Sequence, residues 1–150
     1  RAIIELSHEF YPSTFQRRLD KTNRQTLVHG DSHFWNFLFP KDVAQAPTLI
    51  DWQSWNVDFG MRDLAYMMAL YWFPERRSRY EKQMLSTYLE ELINHGIEYS
   101  YDDMLYDYRM FVAGLVLYPC YQGPTRLWWY QMERLFCAFE DLDCREILIS

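Results

Sequence analysis

Apolar residues recur at helical spacing along most of the chain. The amphipathic segment 1–11 should form a helix that stops before Pro12, and a second short helix should start at Ser13 or Thr14. After Asp58 the pattern predicts helices to the end of the chain. These are 61–73, ended by Pro74; 75–95, followed by Gly96; 103–118, preceded by a Ser100/Asp103 capping box and ended by Pro119; and a last helix at 125–142.

Extended segments are predicted only in the first third of the chain. The β-branched run TLVHG (26–30) predicts a brief strand. The apolar runs NFLF (36–39) and TLIDW (48–52) flank a segment with two prolines and an aspartate, which predicts a β-hairpin. The expected fold is therefore α+β but mainly α-helical, with one small hairpin near the N-terminal third.

Composition fits one globular domain covering residues 1–150. The chain is 49% hydrophobic and 24% charged, which is unlike a disordered sequence. A net charge of −6 argues against a general nucleic-acid surface, and no apolar run is long enough to span a membrane. Three cysteines without C-x-x-C spacing, Cys120, Cys137 and Cys144, are expected to be buried free thiols in a reducing cytoplasm.

The segment VHGDSHFWNFLF (28–39) concentrates polar side chains among apolar ones. Its residues 29–36, here called the polar loop, precede the predicted hairpin, whose second strand ends at Asp51. An antiparallel hairpin would bring Asn36, at the start of one strand, beside Asp51, at the end of the other. Carboxylates and an amide oxygen are ligands suited to Mg²⁺, which also binds substrate phosphates. With Asp31 nearby, the pattern indicates phosphoryl transfer.

The spacing of Asp31 and Asn36 is that of the protein-kinase motif H-R-D-x-x-x-x-N. With Gly30 in the second place and His33 two residues after the aspartate, HGDSHFWN resembles the motif H-G-D-x-H-x-x-N of the aminoglycoside phosphotransferase and choline kinase group. LIDWQ (49–53) resembles the I-D-W motif found downstream in that group. The specific resemblance covers roughly 26–66, and it implies the C-terminal lobe of a protein-kinase-like fold.

By this resemblance, Asp31 is the catalytic base or orients the attacking hydroxyl, Asn36 is a magnesium ligand, and Asp51 is the principal magnesium ligand on the nucleotide phosphates. His29 and His33 are expected to support the loop, although each also fits a hydrogen-bonded loop histidine without a role in the reaction. Asp63, in RDLAY (62–66), is expected to anchor the loop or cap the following helix. Mg²⁺ and ATP or GTP are the implied cofactors.

The string DFG (58–60) places a second aspartate near the motif. Asp58 is expected to follow a polar loop, whereas Asp51 closes the apolar run TLI. The shorter interval from Asp31 to Asp51 also suits a tight hairpin. We therefore assign the metal to Asp51, and expect Asp58 to form loop or helix-cap hydrogen bonds.

The sequence has no glycine-rich phosphate loop and no lysine in a buried strand, both of which a kinase N-terminal lobe supplies. Lys21, Lys41 and Lys82 all lie in polar segments, and the chain starts at Arg1 inside an amphipathic pattern. The expectation is a C-terminal lobe that lacks its nucleotide-clamping lobe and is inactive alone.

Two other functions remain open. His29, Asp31 and His33 alternate, so on a regular strand they would share a face and could bind zinc in a metal-dependent hydrolase. Alternatively, the motif is retained in a non-catalytic kinase-like module that binds a partner.

The acceptor is expected to be a small hydroxylated molecule bound between the polar loop and the last two helices. Acidic and aromatic side chains on these helices suit a cationic amine, but they equally suit a solvated face and a core. The side chains concerned are Asp102, Asp103, Asp107, Glu133, Glu140, Asp141, Tyr118, Tyr121, Trp128, Trp129 and Tyr130.

Overall fold

The computed structural model of the chain describes residues 1–22, 24–123 and 128–149. The described part is mainly helical, as predicted. Its helices are α1 (Ala2–Lys21), α2 (Met61–Ala65), α3 (Pro74–Asn94), α4 (Tyr101–Leu115), α5 (Tyr118–Gln122), α6 (Trp128–Asp141) and α7 (Cys144–Ile149). Its strands are β1 (Gln25–Val28), β2 (Phe37–Leu38), β3 (Thr48–Leu49) and β4 (Asn56–Phe59).

The strands form two antiparallel pairs. In the predicted hairpin, β2 pairs with β3, with Phe37 opposite Leu49. In the second pair, β1 pairs with β4, with Thr26 opposite Asp58. The polar loop runs from the end of β1 to the start of β2, so both of its ends are fixed by a strand pair.

The expectation that strands occur only up to residue 52 is wrong, because Asn56–Phe59 forms β4 and contains Asp58. The helix predicted from residue 61 does begin at Met61. The segment NVDF is only four residues long and alternates polar with apolar side chains, which is a weak signal beside the longer helical pattern after it. Its partner, β1, is distant in sequence. Asp58 therefore lies within a strand, and the expectation that it follows a polar loop is wrong.

Two proline predictions are wrong for related reasons. α1 continues through Pro12, which has no N–H to donate to the His8 carbonyl. Because Pro12 and His8 are both exposed, that carbonyl can bind water instead. α4 ends at Leu115, and Pro119 lies in the first turn of α5, where a missing N–H costs nothing.

Other helix predictions agree with the structure. The Ser100 Oγ accepts a hydrogen bond from the Asp103 N–H at 3.1 Å, as expected of a capping residue. Gly96 follows α3 with a φ of +76°. The start of the last predicted helix, 125–127, lies outside the described residues. α7 was not predicted; Asp143, with a φ of 50°, separates it from α6.

The segment between α2 and α3 differs in kind from the predicted α-helix. Tyr66–Tyr71 forms a π-helix, in which hydrogen bonds join residues five apart. In an α-helix, residues five apart point about 140° away from each other. Here the Tyr66 and Tyr71 rings lie together, with centroids 5.3 Å apart. The wider turn thus brings two tyrosines to one face.

The core is built from α2, the π-helix, α4, α6 and α7. A buried ionic network ties three helices together: Arg77 of α3 donates to Glu81 at 2.9 Å and to Asp141 of α6, and Tyr108 of α4 donates to Glu81 at 2.6 Å. Asp107, which is fully buried, binds Arg18 of α1. Several of the acids in the last helices therefore stabilise packing.

The cysteine prediction is correct in part. All three cysteines are free, and Cys144 is buried, but Cys137 is half-buried and Cys120 is exposed. Among the described residues, no helix combines the length and the apolar character that crossing a membrane requires.

Candidate active site

Asp63 of α2 holds the polar loop in place through three hydrogen bonds. Its carboxylate accepts the backbone N–H groups of His29, at 2.6 Å, and of Gly30, at 2.9 Å. The Ser32 hydroxyl donates to the Asp63 carbonyl at 2.8 Å. Asp63 therefore fixes three residues around Asp31, and each of its carboxylate oxygens already accepts a hydrogen bond within the chain.

His29 links the polar loop to the segment that carries Asp51. The ring is buried, with 1% of the residue exposed. Its Nδ1 accepts the Asp31 N–H at 3.2 Å, so its Nε2 carries the proton and donates to the Ile50 carbonyl at 2.8 Å. Ile50 directly precedes Asp51. The Trp52 ring packs against the His29 ring, with centroids 4.8 Å apart. One imidazole thus positions the backbone of both aspartates.

Gly30 lies where the polar loop approaches the segment that carries Asp51. Its φ is +80°, and a Cβ there would lie 2.3 Å from the Ser54 carbonyl oxygen, in the turn that follows Asp51. The positive φ disfavours a side chain, and the 2.3 Å contact leaves no room for one unless the Ser54 turn shifts. The glycine of the HGD motif is thus required for the approach of the polar loop to the Asp51 segment.

We expect Gly30→Ala to destabilise the protein more than Gly96→Ala does. Both glycines have positive φ, but a Cβ at Gly96 would meet nothing within 4 Å. The Gly96 variant should therefore show only the conformational cost, about 1–2 kcal/mol, and the Gly30 variant a larger one. Urea unfolding of the two variants measures the difference. Equal losses would show that the close contact with Ser54 is unimportant.

Asp31 is surrounded by groups that hold its carboxylate in place. Oδ1 accepts the Tyr66 hydroxyl at 2.9 Å. Oδ2 lies 3.4 Å from the Asn36 Nδ2 and 3.5 Å from the His33 Nε2. The side chain remains 29% exposed, so it can still meet a solute. It is a positioned but accessible acid.

Tyr66 belongs to a group of three tyrosines whose hydroxyls meet. Its oxygen lies 3.1 Å from the Tyr118 hydroxyl and 3.4 Å from the Tyr71 hydroxyl. Burial raises the pKa of Tyr66 far above its usual value, so the phenol keeps its proton and remains a donor to Asp31. Since that proton goes to Asp31, Tyr118 donates to Tyr66.

Two members of the tyrosine group, Tyr66 and Tyr71, were not predicted to belong to the site. Their spacing of five places them on different faces of the expected α-helix, so periodicity could not connect them. Tyr118 was identified only as an aromatic of the acceptor region.

Asn36 and Asp51 are neighbours across the hairpin. The Asn36 carbonyl accepts the Ile50 N–H at 2.9 Å, which places Asp51 one residue beyond this bond. The Asn36 side chain is buried and donates through Nδ2 to the Asp31 carbonyl at 2.8 Å. Its Oδ1 accepts no hydrogen bond from the described residues and remains available as a ligand.

Asp51 has an unusual backbone conformation and an open carboxylate. Its φ of 63° and ψ of 56° are left-handed, a region that non-glycine residues seldom occupy and that is found at functional sites. The residue is exposed, and its carboxylate forms no hydrogen bond or ion pair with the described residues. The Asn36 Oδ1 and the Asp51 carboxylate are both oxygen donors of the kind that a hard divalent cation prefers.

Asp58 is occupied by its own surroundings. One carboxylate oxygen accepts the Phe59 N–H at 2.8 Å, and the other pairs with Arg62 at 2.8 Å. These are local bonds at the end of β4 and the start of α2. Asp58 does not contribute to the group around Asp31.

The zinc-hydrolase arrangement of His29, Asp31 and His33 is absent. The polar loop is irregular rather than a strand, and both ring nitrogens of His29 are used within the chain. In the part of the chain that the structure describes, no three His, Cys, Asp or Glu side chains are grouped as a metal site.

Comparison with protein-family models gives a match to the ecdysteroid kinase-like family over residues 5–101, which is more than half of the chain. The chain belongs to the ecdysteroid kinase-like family. The matched region contains the polar loop, both strand pairs and α2. Comparisons with curated proteins and with solved structures give no significant match.

The ecdysteroid kinase-like family is part of the protein-kinase-like superfamily, and its members are kinases. The prediction of a kinase-like phosphotransferase is thus confirmed at this level. The narrower resemblance to the aminoglycoside phosphotransferase and choline kinase group remains a prediction.

Proposed function

We propose that this ecdysteroid kinase-like chain transfers the γ-phosphoryl group of ATP or GTP to a hydroxyl of a small acceptor molecule. The observation that carries the proposal is the single buried imidazole of His29, which binds the backbone of the Asp31 loop and the carbonyl before Asp51. The base acts on the acceptor hydroxyl, and the metal ligand acts on the nucleotide phosphates. The two residues therefore need a rigid connection that fixes their relative positions.

Asp31 accepts the proton of the acceptor hydroxyl. Its carboxylate is held by Tyr66 on one oxygen and is approached by His33 and Asn36 on the other, so it is oriented before the acceptor arrives. Preorganisation of this type lowers the barrier because no reorientation is needed during the reaction. His33 and Asp63 support the loop and do not contact the reacting atoms.

Asn36 Oδ1 and the Asp51 carboxylate would hold Mg²⁺. When bound, the ion neutralises the negative charge of the nucleotide phosphates. Asn36 also donates through Nδ2 to Asp31, so the same amide connects the base and the metal ligand. The Asp51 carboxylate stays open, since no residue in the described part of the chain bonds to it.

A nucleotide-clamping lobe outside these 150 residues would complete the active site, which makes this chain the C-terminal lobe. The support is an exposed apolar surface around the strand pairs beside Asp51. Its members are Leu27, Leu38, Phe39, Trp52, Trp55 and Val57, each at least 43% exposed. Large exposed apolar surfaces usually bind another protein element. The free cysteines fit a cytoplasmic protein.

The acceptor is a small hydroxylated molecule. The family's name points to an ecdysteroid, and the sequence alone also allowed a cationic amine. Asp103 and Asp107 pair with Arg18, and Asp141 pairs with Arg77. These acids have cationic partners within the chain, which favours an uncharged acceptor.

Tyr66→Phe should slow phosphoryl transfer about tenfold or more without unfolding the protein. It removes the hydrogen bond to the Asp31 carboxylate and leaves the buried ring, and bonds to charged groups contribute about 1.5–3 kcal/mol. The loss should appear in kcat rather than KM. Tyr80→Phe, at a surface residue of α3 that is 40% exposed, is the control and should behave as wild type. A Tyr66 variant with unchanged kcat would show that Asp31 needs no such orientation.

A transfer assay tests the proposed function. The full-length protein is incubated with Mg²⁺ and ATP labelled in the γ-phosphate, together with a library of neutral and cationic hydroxyl compounds. We expect magnesium-dependent transfer of label to at least one neutral compound. Labelled inorganic phosphate alone, or no release of label, would contradict the proposal.

A further inference from the structure

A cavity of about 260 Å³ lies next to the polar loop and outside the group of residues assigned above. Its walls come from the turn after His33, the end of the π-helix and α6. Five of the lining side chains are aromatic: Phe34, Trp35, Tyr71, Phe73 and Tyr130. Flat walls of this kind suit a ring system.

Gln131 supplies a polar group to this aromatic cavity. The residue is only 4% exposed, and its Oε1 is buried without a hydrogen-bond donor among the described residues. A buried polar atom without a partner is costly, and native proteins retain few of them. Oε1 itself is closed to solvent, so a ligand hydroxyl in the cavity would accept a hydrogen bond from the amide Nε2 or, once the side chain turns, donate one to Oε1.

The charge of the cavity excludes a cationic ligand. Arg134 lines it, with its Nη1 donating to the Tyr71 carbonyl at 2.7 Å and its guanidinium 4.5 Å from the centre of the Phe73 ring. No carboxylate is among the lining residues. A ligand ammonium group would therefore meet the positive charge of Arg134 without a carboxylate among the lining residues to balance it.

The cavity is separated from Asp31 by a single layer of side chains. The His33 ring, whose Nε2 lies 3.5 Å from Asp31, packs on Tyr71 with centroids 5.4 Å apart. The Tyr71 hydroxyl lies 3.4 Å from the Tyr66 hydroxyl that binds Asp31. A molecule held in the cavity is thus close enough to extend a second group toward the acid.

We propose that Gln131 is a specificity-determining residue, which binds a hydroxyl of an uncharged, ring-containing acceptor at a point remote from the hydroxyl that reacts. This rests on the proposed phosphotransferase function for its biological meaning. The acceptor then carries at least two hydroxyls, one at Gln131 and one at Asp31. Arg134 excludes amine acceptors from the same cavity.

Equilibrium binding of small probes tests the proposal without any turnover. The probes are 2-naphthol, 2-methylnaphthalene, which lacks the hydroxyl, and 2-naphthylmethylammonium, which is cationic. We expect the wild-type protein to bind 2-naphthol about tenfold more tightly than 2-methylnaphthalene and to bind the cation more weakly than both. In Gln131→Met the preference for the hydroxyl should vanish. Gln83→Met, at an exposed glutamine of α3, is the matched control and should keep the preference.

Thermal unfolding provides the second readout. Because the Gln131 Oε1 accepts no hydrogen bond from the residues that the structure describes, Gln131→Met should be as stable as the wild type or more stable. A marked loss of stability, or failure to fold, would show that the amide has a structural role and would overturn the proposal. Binding of no probe, retention of the preference in Gln131→Met, or tight binding of the cation would also overturn it.

The outcome is separable from that of the proposed function. Asp31→Asn should bind 2-naphthol as the wild type does, because it changes no residue that lines the cavity. If the probes bind as expected but no acceptor is phosphorylated, the cavity assignment stands and the phosphotransferase assignment fails. If transfer occurs but Gln131→Met leaves probe binding and acceptor KM unchanged, only the assignment of Gln131 fails.

Discussion

Asp31→Asn in the full-length protein is expected to reduce phosphoryl transfer at least about a hundredfold while leaving the protein folded. The amide keeps the size of the carboxylate and can still accept the Tyr66 hydroxyl, but it cannot take the proton of an acceptor. The loss should therefore appear in kcat. Transfer rates and unfolding by urea should be measured on the same preparation.

Asp20→Asn is a suitable control for Asp31→Asn, since Asp20 lies on the surface of α1, where its carboxylate accepts a hydrogen bond from Gln16. It should retain wild-type turnover. If Asp31→Asn retained near-normal kcat, Asp31 would not be the base. If it unfolded, the carboxylate would have a structural role that its 29% exposure does not suggest.

Asp51→Asn should reduce magnesium-dependent turnover at least about a hundredfold, as Asp31→Asn does. It should also weaken the binding of nucleotide in the presence of Mg²⁺. The substitution removes the negative charge from an exposed carboxylate that forms no hydrogen bond or ion pair with the residues described by the structure, so the free energy of unfolding should not fall. Isothermal titration with a non-hydrolysable ATP analogue, with and without Mg²⁺, measures the effect on binding.

Asp58→Asn is the matched control for Asp51→Asn. It weakens a partly exposed ion pair with Arg62, which typically contributes less than about 1 kcal/mol, and should leave turnover near that of the wild type. A result in which Asp58→Asn lost turnover and Asp51→Asn kept it would move the metal assignment to the DFG segment.

The polar loop shows which parts of a site can be predicted from sequence. The interval between Asp31 and Asn36 is local, and the hairpin that brings Asp51 beside Asn36 has short strands with clear turn signals between them. These features depend on neighbouring residues. The pairing of β1 with β4 depends on contacts between distant segments, so a four-residue strand such as NVDF could not be recognised.

The tyrosine group illustrates a second limit. Periodicity predicts a helix across 61–73 but does not indicate where its hydrogen bonds change from α to π. That change decides whether Tyr66 and Tyr71 share a face, and it depends on how the segment packs against α4 and α6. Likewise, α1 continues through Pro12 because packing against the core outweighs one missing hydrogen bond.

Gln131 shows a third limit. In the sequence it is one polar residue in an amphipathic helix, which gives no reason to single it out. Only the cavity makes it notable, since the residue is buried beside aromatic rings and its Oε1 has no hydrogen-bond donor among the described residues. Residues that select a substrate are thus harder to find from sequence than residues that carry out the reaction.

A crystal structure of the full-length protein with Mg²⁺ and a non-hydrolysable ATP analogue tests whether Asn36 and Asp51 bind the metal ion. We expect an ion about 2.0–2.1 Å from the Asn36 Oδ1 and an Asp51 carboxylate oxygen, with the nucleotide phosphates completing its coordination. Asp31 should face the terminal phosphate from the acceptor side, and Asp58 should remain bound to Arg62. An ion on Asp58, or phosphates bound away from Asp51, would contradict the account.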